Sequence, residues 1–306
     1  FSTECPPCEA LAPKLEYLAN LYNGFVNFYK IFRQGNRELA NSLNVSSSPT
    51  LLFFKDGKML PHKLNGGIKK SQIINILNSL LTENEIAIIK SRYTQSYSNY
   101  DVAIIGGGPA GLSAAIYLTQ AKLKTVVIDT NLPGGQVATT HLVSNYPGFP
   151  QPINGYMLSH YFFEQAKNNG TDFRSAVDIS HVDLLNKKII IDETETITAK
   201  KILIASGTSP KPLNIVGEKE FKGNGISYCA TCDAKYYENK EVVVIGGGNS
   251  AIEESLFLTK FVSKLTIIHQ FNKLTANADA QHKAMNNQKI SFIFNYLTKI
   301  YTVLGI

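Results

Sequence analysis

Apolar positions fall into three patterns along the chain, and each predicts a different kind of element. Leu11, Leu15, Leu18 and Leu21 recur at helical spacing, predicting a helix that begins beside Cys5 and Cys8. Alternation over Phe25–Lys30 predicts a strand, Glu38–Asn44 a short helix, and Leu51–Phe54 an apolar strand. Asp56-Gly57 predicts a hairpin turn to Met59, and Gly66-Gly67 precedes an amphipathic helix over Lys70–Leu81. Two wholly apolar runs, Val102–Ile105 and Val242–Ile245, predict short buried strands. Each leads through a glycine-rich turn into a helical run, ending near Gln120 and Lys260, and then into a second strand, Thr125–Ile128 and Leu265–Ile268. Between Ile89 and Asn99 the periodicity lapses, which predicts a linker. The pattern is α/β, divided as residues 1–88, a linker at 89–99, 100–212 and 213–306.

Composition narrows the function classes. The 306 residues are 44% apolar and 18% charged, enough for buried cores and unlike a disordered or collagenous chain. No apolar run approaches the roughly 18 residues that span a bilayer. The net charge of +6 favours polyanionic cofactors weakly, and without a dense Lys/Arg cluster it does not argue for nucleic acid. The four cysteines form two C-x-x-C pairs, Cys5-Pro6-Pro7-Cys8 and Cys229-Ala230-Thr231-Cys232. One four-thiolate zinc site or two redox dithiols would use them all. Zinc sites draw their pairs from knuckles about 10 to 20 residues apart. Here more than two hundred residues intervene, so two dithiols are the favoured reading and no metal is expected. At a helix N-terminus, amide donors and the positive dipole end stabilise the thiolate that does the exchange.

The glycine turns carry the second kind of chemistry. Gly106-Gly107-Gly108-Pro109-Ala110-Gly111 is G-x-G-x-x-G between a strand and a helix, and the next strand ends in Asp129, an acid placed for an adenosine ribose. The unit recurs as Gly246-Gly247-Gly248-Asn249-Ser250-Ala251, with His269 at the equivalent strand end. Two Rossmann-like units with a dithiol between them suggest FAD, NAD(P)H and a two-electron transfer.

Together with Pro133-Gly134-Gly135-Gln136, Asn145–Pro150, Ser227–Asp233 and Gly246–Glu254, these motifs make the chain from about residue 100 resemble bacterial-type thioredoxin reductase. The resemblance implies that Gly106, Gly108, Pro109, Ala110, Gly111, Asp129, Gly135, Gln136 and Asn145 hold FAD. It places NAD(P)H on Gly246, Gly248, Asn249, Ser250, Ala251, Glu254 and His269. Cys232 would face the flavin, Cys229 would exchange with thioredoxin, and Asp233 would move the proton; a plain helix-capping role for Asp233 is the alternative. The first 88 residues resemble thioredoxin joined at its redox helix, with Pro49 at the family's cis-proline position. In place of the family's Trp-Cys-Gly-Pro-Cys-Lys stands Glu4-Cys5-Pro6-Pro7-Cys8-Glu9, whose acidic flanks disfavour the thiolate.

The implied protein is a reductase fused to its carrier. Electrons pass from NAD(P)H through FAD to Cys229/Cys232, then to Cys5/Cys8, with attack at the more exposed Cys5, and on to client disulfides. The thioredoxin domain acts in cis or in trans, a homodimer is expected, and reactive dithiols point to the cytoplasm. A reductase for a peroxiredoxin and a non-catalytic dinucleotide-binding redox sensor are the alternatives. Nothing after Ile290 supplies the family's return to the flavin domain, and the first residue falls inside the thioredoxin fold. The chain therefore reads as a piece of a longer polypeptide.

One departure generates a prediction. The family grips the 2′-phosphate of NADPH with arginines after the strand-end histidine, whereas this chain has His269-Gln270-Phe271-Asn272-Lys273. Gln and Phe cannot replace a guanidinium fork. Discrimination between NADPH and NADH should be weakened or reversed, with a lean to NADH. Titrating flavin reduction with each nucleotide checks this, and a strong preference for NADPH would contradict it.

Overall fold

Prolines at the first turn of a helix cost nothing, because their missing N–H groups would be unsatisfied there anyway. Pro6 and Pro7 accordingly open α1 (Pro6–Leu21), with Cys5 at its N-cap. The computed structural model describes residues 1–306 apart from 3–4, 141–142, 144, 210–211, 223 and 297–306, and apart from the side chains of Pro6, Lys219, Thr231 and Cys232. The chain forms two units, residues 1–138 with 156–207, and residues 139–155 with 208–306. This differs from a flavin segment running unbroken from 100 to 212.

The first unit begins with a thioredoxin-like head: α1, α2 (Arg37–Ser42), β1 (Thr50–Lys55), β2 (Lys58–Asn65), α3 (Lys70–Asn78) and α4 (Glu83–Ser91). Asp56 and Gly57 both take positive φ, so the β1–β2 hairpin has the tight turn that Asp-Gly announces. Leu18, Tyr22 and Ile73 are fully buried in the head's core. The expected strand at Phe25–Lys30 is not one. The N–H groups of Phe25 and Val26 donate to Tyr22 O at the end of α1, at 2.9 and 3.0 Å, and so are withdrawn from a ladder. Phe25, Val26 and Phe28 still pack on the head core, which accounts for the alternation.

The expected linker is also corrected. Residues 89–91 complete α4, whose start is fixed by a capping box between Thr82 and Glu85. From Ser96 the chain is already in β3 (Ser96–Ile105), whose first residues pair with Glu195–Ala199. Only residues 92–95 connect the two elements.

The rest of the first unit comprises α5 (Pro109–Gln120), β4 (Thr125–Ile128), α6 (Gly155–Asn168), β5 (Asp172–Arg174), β6 (Ile179–Asp183), β7 (Lys188–Ile191) and β8 (Glu195–Ile204). Their sheet has the order β5-β4-β3-β8-β7-β6, parallel from β5 to β8 and antiparallel beyond. The second unit comprises α7 (Glu218–Phe221), α8 (Ala230–Asp233), β9 (Glu241–Ile245), α9 (Asn249–Leu258), β10 (Lys264–Ile268), α10 (Ala278–Met285) and β11 (Ile290–Ile293). Its parallel sheet runs β11-β10-β9. The class is α/β, a thioredoxin-like head followed by two Rossmann-like units. Among the described residues no helix is long and apolar enough to cross a membrane.

Two predictions follow from packing in the first unit. A Cβ on Gly111 would lie 2.0 Å from Gly106 O, a backbone atom that cannot rotate away. Gly111→Ala should therefore lower the melting temperature markedly, whereas Leu185→Ala, at a position 90% exposed, should leave it unchanged. Lys14 on α1 donates to Ile68 O at 3.1 Å, Ser175 O at 2.8 Å and Ala176 O at 2.6 Å. Burial pulls its amine down from 10.5 to about 8, against the opposing pull of Asp192 and Asp178. The unfolded chain then binds the extra proton between these values, so this group makes stability rise as pH climbs from about 8 to about 10.5. Denaturant midpoints across that window should rise more in the unmodified protein than in Lys14→Met; parallel curves would refute the assignment.

Candidate functional site

Cys5 and Cys8 are joined in a disulfide at the start of α1. Cys5 Sγ accepts the Cys8 N–H at 3.3 Å, so the helix terminus supplies an amide to the sulfur that becomes a thiolate on reduction. Pro49, buried and preceded by a cis bond, follows Ser48, whose carbonyl oxygen lies 3.6 Å from Cys5 Sγ. Cys5 is 7% exposed and Cys8 is only half-buried, which reverses the expectation that Cys5 is the open sulfur. The N-cap position that gives Cys5 its amide also sinks it into the turn.

In the same unit, β3 delivers the first glycine loop to the N-terminus of α5, whose N-cap Gly108 offers no side chain to cap the first amides. Gly106 takes φ +108°, and its N–H donates to Ile128 O at 2.8 Å. Asp129 directly follows β4 and accepts from the N–H groups of Gly107 at 2.6 Å and Asn131 at 2.8 Å. A second loop closes on the first, since a Cβ on Gly135 would meet Gly108 Cα at 3.0 Å. Backbone amides at an uncapped helix start, a pinned carboxylate, and glycines that keep the loops low fit a dinucleotide pyrophosphate and ribose. Pro109 and Ala110 form the first turn of α5, and Gln136 lies in a short 3-10 turn, residues 135–139. Asn145, exposed, belongs to the second unit.

The second unit repeats the design at β9, Gly246–Gly248 and α9, again with no side-chain cap at Gly248. Ser250 and Ala251 lie in the first turn of α9. Asn249 Oδ1 accepts from Asn277 N at 2.7 Å, tying that turn to the loop before α10. His269 packs on the loop: a Cβ on Gly247 would fall 2.6 Å from its ring. His269 is 6% exposed, set edge-on to Phe271, and so does not face solvent at the strand end. Its Nε2 is buried without a hydrogen-bond partner among the described residues, a polar atom that a ligand on this loop could satisfy. The loop thus fits a second dinucleotide.

The redox turn of the second unit is held by side chains that sequence reasoning did not assign. Cys229 is disulfide-bonded; the side chain of Cys232, expected at the flavin, lies outside the described residues. Ser227 Oγ donates to Asp233 Oδ2 at 2.5 Å and accepts the Cys229 N–H at 3.1 Å. Glu254, expected at the nicotinamide dinucleotide, accepts the Ala230 N–H at 3.0 Å, linking α9 to the first residue of α8. Tyr228 donates to Glu218, which also takes the N–H groups of Leu213 at 2.8 Å and Asn214 at 2.6 Å. The hydrogen bond from Tyr228 leads the interactions that lower the Glu218 carboxyl, and the same contact pushes the Tyr228 phenol up to about 12. The only advance signal for Ser227 and Tyr228 was their place in the run Ser227–Asp233.

Known proteins share this arrangement. Residues 100–302 match the pyridine nucleotide-disulphide oxidoreductase family, and residues 1–79 match the thioredoxin family. A thioredoxin reductase of Bacillus subtilis is 43% identical over 200 residues, covering 65% of this chain and 63% of that protein. One from Peptoclostridium litorale is 45% identical over 197 residues, covering 64% and 62%. Among solved structures, thioredoxin reductase from Giardia duodenalis superposes with a TM-score of 0.61 at 37% identity, covering 64% of each chain. The chain thus spans a little under two thirds of the relatives it matches. Its matched region and its two glycine-loop units place it in one family: the chain belongs to the pyridine nucleotide-disulphide oxidoreductases.

Proposed function

We propose that this chain is the reductase and carrier of a flavin-dependent disulfide-reducing system, a thioredoxin reductase with its own thioredoxin-type head. The observation that carries the reading is the pairing of two C-x-x-C turns with two dinucleotide units in one polypeptide. Its family uses FAD and NAD(P)H, which supply two-electron exchange between a nicotinamide and sulfur. The chain's own residues bind and orient. Amides of the loop from Gly106 to Gly111 hold one pyrophosphate, Asp129 accepts from the ribose, and Gln136 contributes a side-chain contact. The loop from Gly246 to Ala251 holds the second dinucleotide, with His269 Nε2 as its added polar contact.

The sulfur steps balance within the chain. Cys229 thiolate attacks Cys5 Sγ, forming the Cys229–Cys5 bond as the Cys5–Cys8 bond breaks and Cys8 leaves as thiolate. Cys232 then attacks Cys229, releasing Cys5 and restoring the Cys229–Cys232 disulfide. The Cys8 amide on Cys5 Sγ stabilises Cys5 as the thiolate released in that second step. Asp233, oriented by Ser227, protonates the thiolate leaving the Cys229–Cys232 couple when that couple is reduced. Reduced Cys5/Cys8 serves client disulfides, those of a peroxiredoxin among them, in a cytoplasmic homodimer.

In a Cys8→Ser, Cys232→Ser variant, a Cys5–Cys229 mixed disulfide should accumulate and be found as a cross-linked peptide by mass spectrometry. Its absence in cis and in trans would end the relay. Asp233→Asn should retain flavin but slow dithiol turnover about 10²-fold or more; unchanged turnover would reject the acid role.

A further inference from the structure

Within the first unit, the head meets the flavin-binding part along a seam that differs from the rest of the interior. Among the described residues no hydrophobic cluster crosses it: the head core uses residues up to Tyr93, and the clusters of the sheet begin at Tyr100. Charge and hydrogen bonds cross it instead. Lys14 places its ammonium on the carbonyls of Ser175 and Ala176. Lys69 pairs with Asp178 at 2.9 Å, and Ser71 Oγ donates to the other oxygen of the same carboxylate. Lys70 donates to Thr194 Oγ1 at 2.7 Å, lies 3.8 Å from Asp192, and sits over the Tyr17 ring.

The receiving face is built for this. Asp192 and Glu193, both at positive φ, form the turn between β7 and β8, and Asp192 Oδ1 is fixed by the Asp178 N–H at 2.8 Å. A cavity of about 790 Å³ remains in the seam, bordered on the head side by Pro7, Glu9, Ala10 and Tyr17. Pro7 and Glu9 flank Cys8, so the redox turn adjoins the seam.

A seam without a shared apolar core behaves like a transient interface and not like the inside of one domain. Its charges are also held against a cost. Burial pulls the Lys14 and Lys70 amines down and pushes the Asp192 carboxyl up, so water competes for all three. Gly67 lies against Leu132 in the seam: a Cβ on Gly67 would meet Leu132 Cγ at 3.1 Å.

We propose that Asp178, Asp192, Thr194 and the carbonyls of Ser175 and Ala176 form a docking surface that holds the head reversibly through Lys14, Lys69 and Lys70. The docked head is the parked form, and release frees its redox turn for exchange. The docking is independent of the electron path; only the purpose given to release rests on the proposed function.

Zero-length carbodiimide coupling, which joins amines only to carboxylates in contact, tests this together with acetylation of exposed lysines. Neither readout needs electron transfer. At about 0.01 M salt, where the screening length is about 30 Å, a Lys69–Asp178 cross-link should form and Lys14 and Lys70 should resist acetylation. At about 1 M NaCl, with screening at about 3 Å, the cross-link should fall about fivefold or more and both lysines should react. Asp178→Lys should expose Lys14 and Lys70 at low salt, and adding Lys69→Asp should restore their protection. Gly67→Leu, which wedges the seam without changing charge, should expose them as well. Absence of the cross-link and protection at low salt would overturn docking. Persistence of both in high salt, and of the lysine protection in Asp178→Lys, would overturn reversibility.

Discussion

The structure depends on how closely a strand and the helix after it can approach where no Cβ stands between them. At Gly111 that separation leaves 2.0 Å between a would-be Cβ and Gly106 O. The approach sets the uncapped start of α5 at the end of β3. Because β3 has β4 on one side and β8 on the other, the loop opens where the chain's path through the sheet reverses direction, the crevice in which open α/β sheets bind ligands. Gly247 plays a related part in the second unit, where the absent Cβ admits the His269 ring. In both units a missing side chain places backbone donors where a pyrophosphate can reach them.

The two dithiols are built on a second shared device, a cysteine just before or at the first turn of a helix. In the head, Cys5 caps α1 and takes an amide from Cys8. In the second unit, Ser227 binds both the Cys229 N–H and Asp233, while Glu254 reaches across from α9 to the Ala230 N–H. A side chain from the dinucleotide helix thus hydrogen-bonds to the redox turn. The head itself is attached through lysines and carboxylates, contacts that water and salt can replace. Exchange between partners needs this kind of attachment: firm enough to keep the carrier near, and without an apolar core to lock it.

Elements governed by local rules were legible in the chain. Thr125–Ile128 was placed to the residue and Val242–Ile245 to within one residue of β9, because short apolar runs beside glycine loops favour one reading. The Asp56-Gly57 hairpin followed from turn chemistry. Elsewhere tertiary contacts decided. The alternation at Phe25–Lys30 reports burial against the head core, which a strand-like pattern shares with an unpaired extended segment. The capping box Thr82–Glu85 was readable as a helix start, yet the polar residues after it concealed a strand whose pairing to Glu195–Ala199 spans about a hundred positions. Glu254 and Ser227 could not have been assigned from spacing, since their partners are fixed by the packing of α8 on α9 and not by neighbours in sequence.

The central claim is that reducing equivalents entering at the dinucleotide units reach both sulfur pairs of one polypeptide. Counting thiols tests it most directly. The oxidised protein, supplied with FAD and an excess of NAD(P)H without oxygen, would be quenched at intervals and titrated for free sulfhydryls. All four cysteines should become free, those at 229 and 232 before those at 5 and 8. A count that halts after one pair, or never rises, would contradict the account.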